Sequence, residues 1–212
     1  MSARSNAGRI GVWGASGSGK SSYVKKAIKG RKRMVVFDPL GEYSALCNVT
    51  CQTVEQVRLA MRKNWAGFSI AFLPRSGGEI RDLSRLCKFM MVAQMPYKES
   101  GRGQGMTLVV EEMNLSFPVA GVPSRDMGFA EICSRGRHYG IEVYGLSQRI
   151  AEVGTRFRGN CTESVVLRQK EPRDVIAAAS VLGCHKSEVM GLKNLDYIHE
   201  QNGTRKKGRI KF

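Results

Sequence analysis

The chain has 212 residues, with 34 lysines and arginines against 18 aspartates and glutamates, and its formal net charge at pH 7 is +16. Because 42% of the residues are apolar and 24 are glycine, the composition excludes a disordered polycation and predicts one compact α/β domain over residues 1–212. No run approaches the ~18 consecutive apolar residues of a membrane-spanning helix, and the polar start at residues 1–6 is unlike a signal peptide.

The excess of positive charge favours a nucleic acid as partner over an acidic small molecule. The alternative is a basic surface that serves only solubility. The six cysteines contain no C-x-x-C pair, which predicts reduced thiols that pack as small apolar residues in a cytoplasmic protein.

The first predicted element is a strand at residues 10–13, followed by the sequence GASGSGKS and a helix over residues 21–28. These eight residues, 14–21, fit the phosphate-loop (Walker A) pattern G-x-x-x-x-G-K-[ST] at every position. Their glycines let successive N–H groups point at one anion, and the helix N-terminus adds positive potential. Lys20 is expected to reach the β- and γ-phosphates of a nucleoside triphosphate, and the Ser21 hydroxyl to ligate Mg²⁺. The predicted nucleotide-binding residues are Gly14, Ala15, Ser16, Gly17, Ser18, Gly19, Lys20, Ser21 and Ser22.

The middle of the chain continues to alternate strand and helix. A second buried strand at residues 34–38 runs into the sequence DPLGEY, and a capping box opens a helix at residues 53–64. A third strand at residues 68–73 stops at a proline, and the next helix covers residues 79–95. The glycine-rich segment at residues 101–105 is predicted to be a flexible loop.

The strand predicted at residues 106–110 ends in two adjacent carboxylates, Glu111 and Glu112 (a Walker B pattern). Glu111 is expected to hold Mg²⁺ directly or through water. Glu112 points to the other side of the strand end, where it can take a proton from an attacking water. This pair therefore favours hydrolysis of the triphosphate.

The next predicted elements are a helix at residues 124–133, strands at 141–146 and 164–167, and helices at 150–157 and 172–182. The sequence Ser-Gln-Arg follows the first of these strands, and its Gln148 can sense the γ-phosphate or orient water. Such alternation predicts a mainly parallel sheet with helices on both faces and the ligand at the carboxyl ends of the strands. At least one strand separates the phosphate-loop strand from the acidic strand in sequence, as in the RecA-like (ASCE) branch of P-loop NTPases.

The C-terminal part, residues 171–212, is predicted to add a helix and a β-hairpin around Asn202-Gly203 to the core at residues 9–170. The return strand of the hairpin is strongly basic. It is interpreted either as a solvated edge strand whose lysines prevent aggregation or as a DNA contact. The candidate DNA-binding residues in the chain are Arg102, Arg205, Lys206 and Lys207.

Four motifs in this order carry a family resemblance: GASGSGKS, DPLGEY after a strand, LVVEE, and RGRHYGI leading to SQR. They resemble the HerA/FtsK superfamily of DNA-pumping ATPases. The small size resembles the genome-packaging ATPases of tailless, membrane-containing icosahedral double-stranded DNA viruses. The resemblance covers residues 9–170; its last two motifs together are specific, whereas many NTPases share the first.

The resemblance implies a ring, usually a hexamer, of RecA-like subunits that translocate double-stranded DNA with ATP and Mg²⁺, in the host cytoplasm or associated with the virion. A capsid-vertex or membrane-associated packaging protein would be a further partner. By the same resemblance Lys20 and Ser21 bind nucleotide and Mg²⁺, Glu112 is the catalytic base and Gln148 the polar sensor. Glu111 departs from the aspartate usual in the family. No added domain or transmembrane segment of the cellular or filamentous-phage type is evident in the sequence, which favours the compact viral type.

Three arginines are candidates for stabilising the charge that builds on the γ-phosphoryl group: Arg135 and Arg137, which precede the strand at 141–146, and Arg149, which follows it. A guanidinium from a neighbouring ring subunit can supply this stabilisation. The alternative for each is a surface or DNA-facing role.

Three other functions compete with viral packaging: a HerA-like cellular translocase, a P-loop kinase acting on a small molecule, and a nucleotide-switched DNA-binding protein. The adjacent carboxylates and Gln148 suit activation of water, which disfavours the kinase. Hydrolysis stimulated by DNA distinguishes a translocase from the kinase and from the switch.

Overall fold

In the computed structural model, which describes residues 7–211, nine strands form one sheet in the order β3-β4-β2-β5-β6-β1-β7-β8-β9. The polar start at residues 1–6 and residue 212, the end of the predicted basic strand, lie outside the described part. The strands are β1 Arg9–Trp13, β2 Arg33–Phe37, β3 Val49–Cys51, β4 Phe68–Phe72, β5 Met106–Val110, β6 Ile141–Ser147, β7 Glu163–Leu167, β8 Asp196–Gln201 and β9 Thr204–Arg209.

The first seven strands are parallel, and β8 and β9 extend the sheet in antiparallel fashion beside β7. In this order β6 lies between β1, which leads into the phosphate loop, and β5, which leads into the two carboxylates. The insertion of one strand between these two is the arrangement of the RecA-like branch. The predicted fold class is confirmed.

Nine helices within residues 7–211 connect the strands. They are α1 Lys20–Ala27, α2 Val54–Lys63, α3 Glu79–Ala93, α4 Met95–Ser100, α5 Met113–Ser116, α6 Gly128–Arg135, α7 Thr155–Arg158, α8 Pro172–Leu182 and α9 Lys186–Met190. Helix α1 packs in one core cluster with alternate strand residues, and the buried faces of α2, α3, α6 and α8 pack in a second, larger cluster. Apolar side chains thus leave the sheet on both faces, as period-two alternation of a doubly covered sheet requires.

Local signals determine several boundaries. The hydroxyl of Thr53 accepts the N–H of Gln56 at 3.2 Å, and the side chain of Gln56 accepts the N–H of Thr53 at 3.2 Å, so the predicted capping box starts α2. The hairpin of β8 and β9 turns at Asn202 and Gly203, whose φ angles of 52° and 78° match the left-handed turn that suits a two-residue hairpin.

The helix predicted over residues 150–157 is wrong as one continuous element. Residues Ile150–Glu152 form a 3₁₀ turn, and α7 begins only at Thr155. Between them Val153 bridges to Pro118, and Gly154 lies so close to Phe117 that a β-carbon there would be 2.8 Å from the ring. Tertiary contacts therefore interrupt a segment whose local pattern favours a helix.

Other predicted boundaries differ in smaller ways. The helix predicted at residues 79–95 ends at Ala93, because Pro96 in the first turn of α4 cannot donate the hydrogen bond that would continue α3. The helix predicted at residues 124–133 is a 3₁₀ turn followed by α6. The sequence prediction missed β3, α4, α5 and α9, each of which has six residues or fewer.

The six cysteines are free thiols, as predicted, and Cys51, Cys87 and Cys133 are buried. Burial raises the pKa of the Cys87 thiol well above its ordinary value. Within residues 7–211, no helix is both long enough and apolar enough to cross a bilayer.

Candidate nucleotide-binding site

The predicted site residues meet at the carboxyl edge of the sheet. The phosphate loop follows β1, Glu111 and Glu112 follow β5, and Gln148 follows β6. Registers Trp13↔Ser147 and Val110↔Gly145 bring these three strand ends level. The edge encloses a cavity of about 300 Å³ lined by the phosphate loop, both glutamates and Gln148.

The phosphate loop is held by backbone contacts to the strands on either side of β1. The N–H of Gly14 donates to the carbonyl of Ser147 at 3.2 Å, and the N–H of Ala15 donates to that of Arg168 at 2.8 Å. Gly19, at φ 104°, adopts a conformation that side-chain-bearing residues rarely reach. The loop is therefore anchored before any phosphate binds.

Lys20 is buried, with its Nζ 3.5 Å from the carbonyl oxygen of Ala15 inside the loop. Burial lowers the pKa of its ammonium, and the charges of Glu112, Glu111 and Glu42 act in the opposite direction. A desolvated cation at the centre of an anion-binding loop is suited to neutralising phosphate charge.

The Ser21 hydroxyl lies between two carboxylates. Its Oγ is 3.2 Å from Glu111 Oε1 and 3.1 Å from Glu42 Oε2, and its single hydrogen can be donated to only one of them at a time. Tyr43 also donates its hydroxyl to Glu111 Oε1, at 2.9 Å. The metal-binding prediction for Ser21 and Glu111 thus corresponds to two oxygen groups in direct contact.

Glu111 is buried, and this desolvation raises the pKa of its carboxyl group. The hydrogen bond from Tyr43 lowers that pKa, and the charges of Glu112 and Glu42 raise it further. Burial beside Glu111 also raises the pKa of the Tyr43 phenol, which keeps it a donor. A divalent cation would relieve the crowding of negative charge around Glu111.

The turn that places Glu42 and Tyr43 is organised by Asp38 at the end of β2. The buried carboxylate of Asp38 accepts the N–H of Glu42 at 3.0 Å and that of Tyr43 at 2.8 Å. Glu42 and Tyr43 are therefore site residues that the sequence prediction missed, although it noted DPLGEY after the second strand. The signal that could have revealed them is an aspartate at a strand end followed by a Pro-x-Gly turn.

Glu112 accepts a hydrogen bond of 2.6 Å from the amide of Gln148 and lines the same cavity as Glu111. Its backbone lies in the left-handed region at φ 42°, a conformation uncommon for a residue other than glycine. Ser147 and Asn114 are linked by a hydrogen bond of 3.0 Å beside this pair. The predicted base and the predicted sensor are therefore direct neighbours, and Asn114 is a polar neighbour that sequence reasoning missed.

The residues present fit Mg²⁺. Hydroxyl and carboxylate oxygens are the ligands of this hard cation, which protein sites bind through one or two carboxylates together with substrate phosphates and water. Residues 7–211 contain no group of three or more histidine, cysteine or acidic side chains arranged as a metal cage. Ser21 and Glu111, with Glu42 beside them, suit an ion that arrives with the nucleotide.

The three candidate arginines lie at different edges of the sheet. Arg149 is at the carboxyl edge, where its Nε contacts the buried Asp174 at 2.7 Å and its Nη1 contacts Glu152 at 3.2 Å. Arg135 and Arg137 lie before β6, at the opposite edge. Arg135 pairs with Glu131 at 2.6 Å.

The four candidate DNA-binding residues also divide. Arg102 is exposed in the loop that precedes β5. In β9 the side chains of Arg205 and Lys207 both contact Glu188, at 3.0 and 3.1 Å, and Lys206 is exposed. The basic strand is thus partly neutralised by α9.

No family model matches the chain, and no curated protein matches it. Solved structures do. The genome packaging NTPase B204 from Sulfolobus turreted icosahedral virus 2, in complex with ATPγS, superimposes with a TM-score of 0.76 at 15% identity, over 97% of this chain and 98% of that one. The DNA-packaging ATPase B204 from Sulfolobus Turreted Icosahedral Virus gives a TM-score of 0.73 at 16% identity, over 96% and 97%. VirB4 of Thermoanaerobacter pseudethanolicus gives 0.67 at 13% identity, over 96% and 89%. The chain therefore has the fold of these packaging NTPases and of VirB4, as the resemblance to the HerA/FtsK superfamily implies.

Proposed function

We propose that this protein is an ATP-driven translocase of double-stranded DNA, of the kind that packages viral genomes. The observation that carries the proposal is the carboxyl-edge site, where the phosphate loop, the contact of Ser21 with Glu111 and the Glu112–Gln148 pair line one cavity. Similarity in fold to packaging NTPases along nearly the whole chain supports it.

The proposed mechanism assigns the two sides of the site different tasks. Lys20 and the N–H groups of the phosphate loop bind the β- and γ-phosphates. Ser21 and Glu111 would hold Mg²⁺, which would neutralise part of the negative charge of the phosphates. These groups orient the nucleotide so that its γ-phosphorus faces Glu112.

Glu112 then acts as the base. Its carboxylate takes a proton from a water, the water oxygen attacks the γ-phosphorus, and the bond from that phosphorus to the bridging oxygen of ADP breaks. The 2.6 Å hydrogen bond from Gln148 orients the carboxylate for this step. Because Gln148 contacts Glu112 and lines the same cavity as the phosphate loop, it is also suited to reporting whether the γ-phosphate is present.

The remaining parts of the proposal follow from charge and assembly. We propose a ring of subunits, a hexamer by resemblance, acting in the cytoplasm of the host with double-stranded DNA as substrate. The net charge of +16 supports a partner that is a polyanion. A capsid-vertex or membrane-associated protein would anchor the ring.

The test is ATP hydrolysis by the purified protein with and without duplex DNA of unrelated sequences. Stimulation by duplex DNA is expected from a translocase, whereas a kinase or a nucleotide switch would not show it. Lys20→Ala should lose nucleotide binding, and Glu112→Gln should bind ATP but hydrolyse it at least about 100-fold more slowly. If no duplex stimulates hydrolysis, the translocase proposal is overturned. If Glu112→Gln hydrolyses ATP at a near-normal rate, the assignment of Glu112 as the base is overturned.

A further inference from the structure

Helix α3 carries a row of positive charge on its solvent-facing side. Its core-facing side is buried against the sheet and α6, whereas Arg81, Arg85 and Lys88 are exposed on the opposite side. These positions are spaced by four and three residues, so they lie along one stripe of about 10 Å. Two more exposed arginines extend the row: Arg75 before the helix and Arg125 on the neighbouring 3₁₀ turn.

The fold places Arg125 beside this stripe. The N–H of Gly128 donates to the hydroxyl of Ser84 at 3.0 Å, and a β-carbon at Gly128 would lie 2.1 Å from the carbonyl oxygen of Ser84. This close approach fixes the start of α6 against α3. Lys88 Nζ then donates to the carbonyl of Arg125 at 2.9 Å, which keeps its positive charge at the surface.

The nearby carboxylates each accept a hydrogen bond within the fold. Glu55 is bound by Arg58, Glu79 accepts the N–H of Gly77 at 3.1 Å, and Asp82 accepts the N–H of Arg75 at 3.4 Å. Within the described part of the chain, the side chains of Arg75, Arg81, Arg85 and Lys88 form no ion pair, whereas Arg125 contacts Asp126 at 3.6 Å. Arg75, Arg81 and Arg85 line an open cavity of about 350 Å³ together with Glu55 and Asp82.

The basic β-hairpin differs from this stripe. Arg205 and Lys207 share Glu188, and Arg209 pairs with Asp196 at 2.6 Å. A cation that already has a carboxylate partner releases less free energy on meeting a phosphate, since it must give up that partner or share it. The unpaired charges of α3 are therefore better placed to bind a polyanion.

We propose that this stripe, Arg75, Arg81, Arg85, Lys88 and Arg125, is the principal surface by which the protein grips the phosphate backbone of duplex DNA. The inference rests on the proposed function and names the contact surface for its substrate. A straight row of long, flexible cations suits the regular row of phosphates along one strand, and it carries no side chain positioned to read base edges.

The position of the stripe also connects it to the nucleotide site. Helix α3 starts from the carboxyl edge of the sheet, after β4, so Arg75 and Arg81 lie at the edge where ATP is hydrolysed. Its buried side contacts α5, the short helix that directly follows Glu112. A displacement of Glu112 during hydrolysis would thus be passed to α3 through one packed helix.

The experiment measures duplex binding by fluorescence anisotropy across a salt series, for the full chain. The stripe variant is Arg81→Gln/Arg85→Gln/Lys88→Gln, in which glutamine keeps helix propensity. The matched control, Lys26→Gln/Lys29→Gln/Arg173→Gln, removes the same number of exposed charges elsewhere. A third variant, Arg81→Lys/Arg85→Lys, keeps the charge.

The stripe variant should bind duplex DNA roughly tenfold or more weakly at ~0.1 M salt, and the slope of log affinity against log salt should decrease by about 2.7, or about 0.9 for each lost phosphate contact. ATPase activity without DNA should stay unchanged, because these residues lie outside the nucleotide site. The control should lose less affinity than the stripe variant, and its salt slope should decrease less. The lysine variant should bind like the unmodified protein.

Each failure has a distinct meaning. If the stripe variant and the control bind alike while the unmodified protein binds duplex DNA, the α3 surface is not the principal DNA-binding surface. The translocase proposal is then unaffected. If the unmodified protein does not bind duplex DNA, the proposed function itself fails. If the stripe variant loses assembly in native mass spectrometry but keeps the salt slope, the surface contacts a neighbouring subunit and the DNA assignment is overturned.

Discussion

The carboxylate of Glu111 is buried at the end of β5, within hydrogen-bonding distance of Tyr43 and Ser21. A carboxyl group whose pKa is raised by burial binds its proton more tightly in the folded than in the unfolded chain. Protonation of this group therefore stabilises the folded state at pH values below the ordinary carboxyl pKa. That stabilisation is lost as the pH rises from the ordinary pKa through the raised pKa of the folded state. Ionisation of the buried Glu111 carboxyl group therefore costs free energy of folding.

Removing the negative charge of Glu111 should stabilise the protein but weaken its Mg²⁺-dependent binding of ATP. We expect Glu111→Gln to raise the melting temperature of the nucleotide-free protein at pH 7 by a few degrees, with the gain vanishing at pH 4. The same change should weaken the dependence of ATP binding on Mg²⁺, because a neutral amide is a poor ligand for the ion. Scanning calorimetry at both pH values and ATP titrations with and without Mg²⁺ measure the two effects. Glu99→Gln, at an exposed position, is the control that should change neither; a lower melting temperature for Glu111→Gln would contradict the argument.

Tyr43 offers a second measurement at the same carboxylate. Its hydroxyl stabilises the ionised form of Glu111, so Tyr43→Phe should raise the pKa of Glu111 further. Since Mg²⁺ binds the ionised form, the acidic limb of Mg²⁺-dependent ATP binding should move to higher pH, with affinity near pH 8 little changed. A binding profile between pH 5 and 8 decides this. An unshifted limb would mean that Glu111 does not control metal binding.

At the scale of elements, the C-terminal hairpin supports the phosphate loop from outside. The N–H of Leu195 donates to the carbonyl of Ser18 at 3.0 Å. Gly19 faces the side chains of Leu195 and Ile210, and a β-carbon at Gly19 would lie 2.9 and 2.8 Å from them. The hairpin thus restricts the loop that must fit the phosphates.

Removing one of these contacts should therefore affect both folding and binding. We expect Ile210→Ala to lower the free energy of unfolding by about 2 kcal/mol, by loss of buried apolar contact, and to weaken ATP affinity several-fold. Ile176→Ala is the matched control, since Ile176 is 50% exposed in α8 and its truncation should change stability by less than ~0.5 kcal/mol. Urea unfolding and equilibrium ATP titration measure the two variants; equal effects would show that the hairpin does not support the loop.

The same contacts explain what the sequence could and could not predict. Three features were predicted because each is a motif of a few neighbouring residues: the phosphate loop, the capping box of α2 and the acidic end of β5. The contact of Tyr43 with Glu111 joins positions 68 residues apart, and the closure of the hairpin over Ser18 joins positions still more distant. The Pro-x-Gly turn after Asp38 is a local signal for the turn that carries Glu42 and Tyr43, but no local pattern encodes their contacts with residues so far along the chain.

Tertiary packing also changed elements that local pattern favoured. Residues 150–157 carry a helical pattern, yet the contact of Gly154 with Phe117 divides them. The short strand β3 forms only because β4 supplies its hydrogen bonds. Basic residues of β9 were predicted as DNA contacts from charge alone, and their pairing with α9 depends on a fold that charge cannot specify.

At the scale of the whole molecule, the parallel sheet separates the nucleotide site from Arg135, at the end of α6, and from Arg137, in the 3₁₀ turn before β6. Arg135 and Arg137 lie before the start of β6, and the phosphate loop meets its end, so a strand of about 20 Å lies between them. Neither guanidinium can reach the nucleotide of its own subunit. Any role in phosphoryl transfer must therefore be exerted on a neighbouring subunit.

Arg137 is the stronger of these two candidates, because Arg135 is already paired with Glu131. If Arg137 acts across a ring interface, a subunit with Arg137→Ala has an intact base but leaves its neighbour's site without the guanidinium. A subunit with Glu112→Gln has the opposite defect. Mixing the two inactive variants should then restore a fraction of the ATPase activity, because some interfaces combine an intact Glu112 with an intact Arg137.

The mixing experiment needs a control pair of variants that also form mixed rings but whose defects cannot compensate for each other. Lys20→Ala mixed with Glu112→Gln should restore no activity. Lys20 and Glu112 both serve the nucleotide site of their own subunit, so every site in a mixed ring lacks one of the two groups. Native mass spectrometry of each mixture should show mixed rings with ATP present. Mixed rings without recovered activity for Arg137→Ala, and likewise for Arg135→Ala, would exclude both residues as trans-acting groups. Arg149, which contacts Asp174 and Glu152, would then remain as the candidate of the three that lies at the carboxyl edge of the sheet.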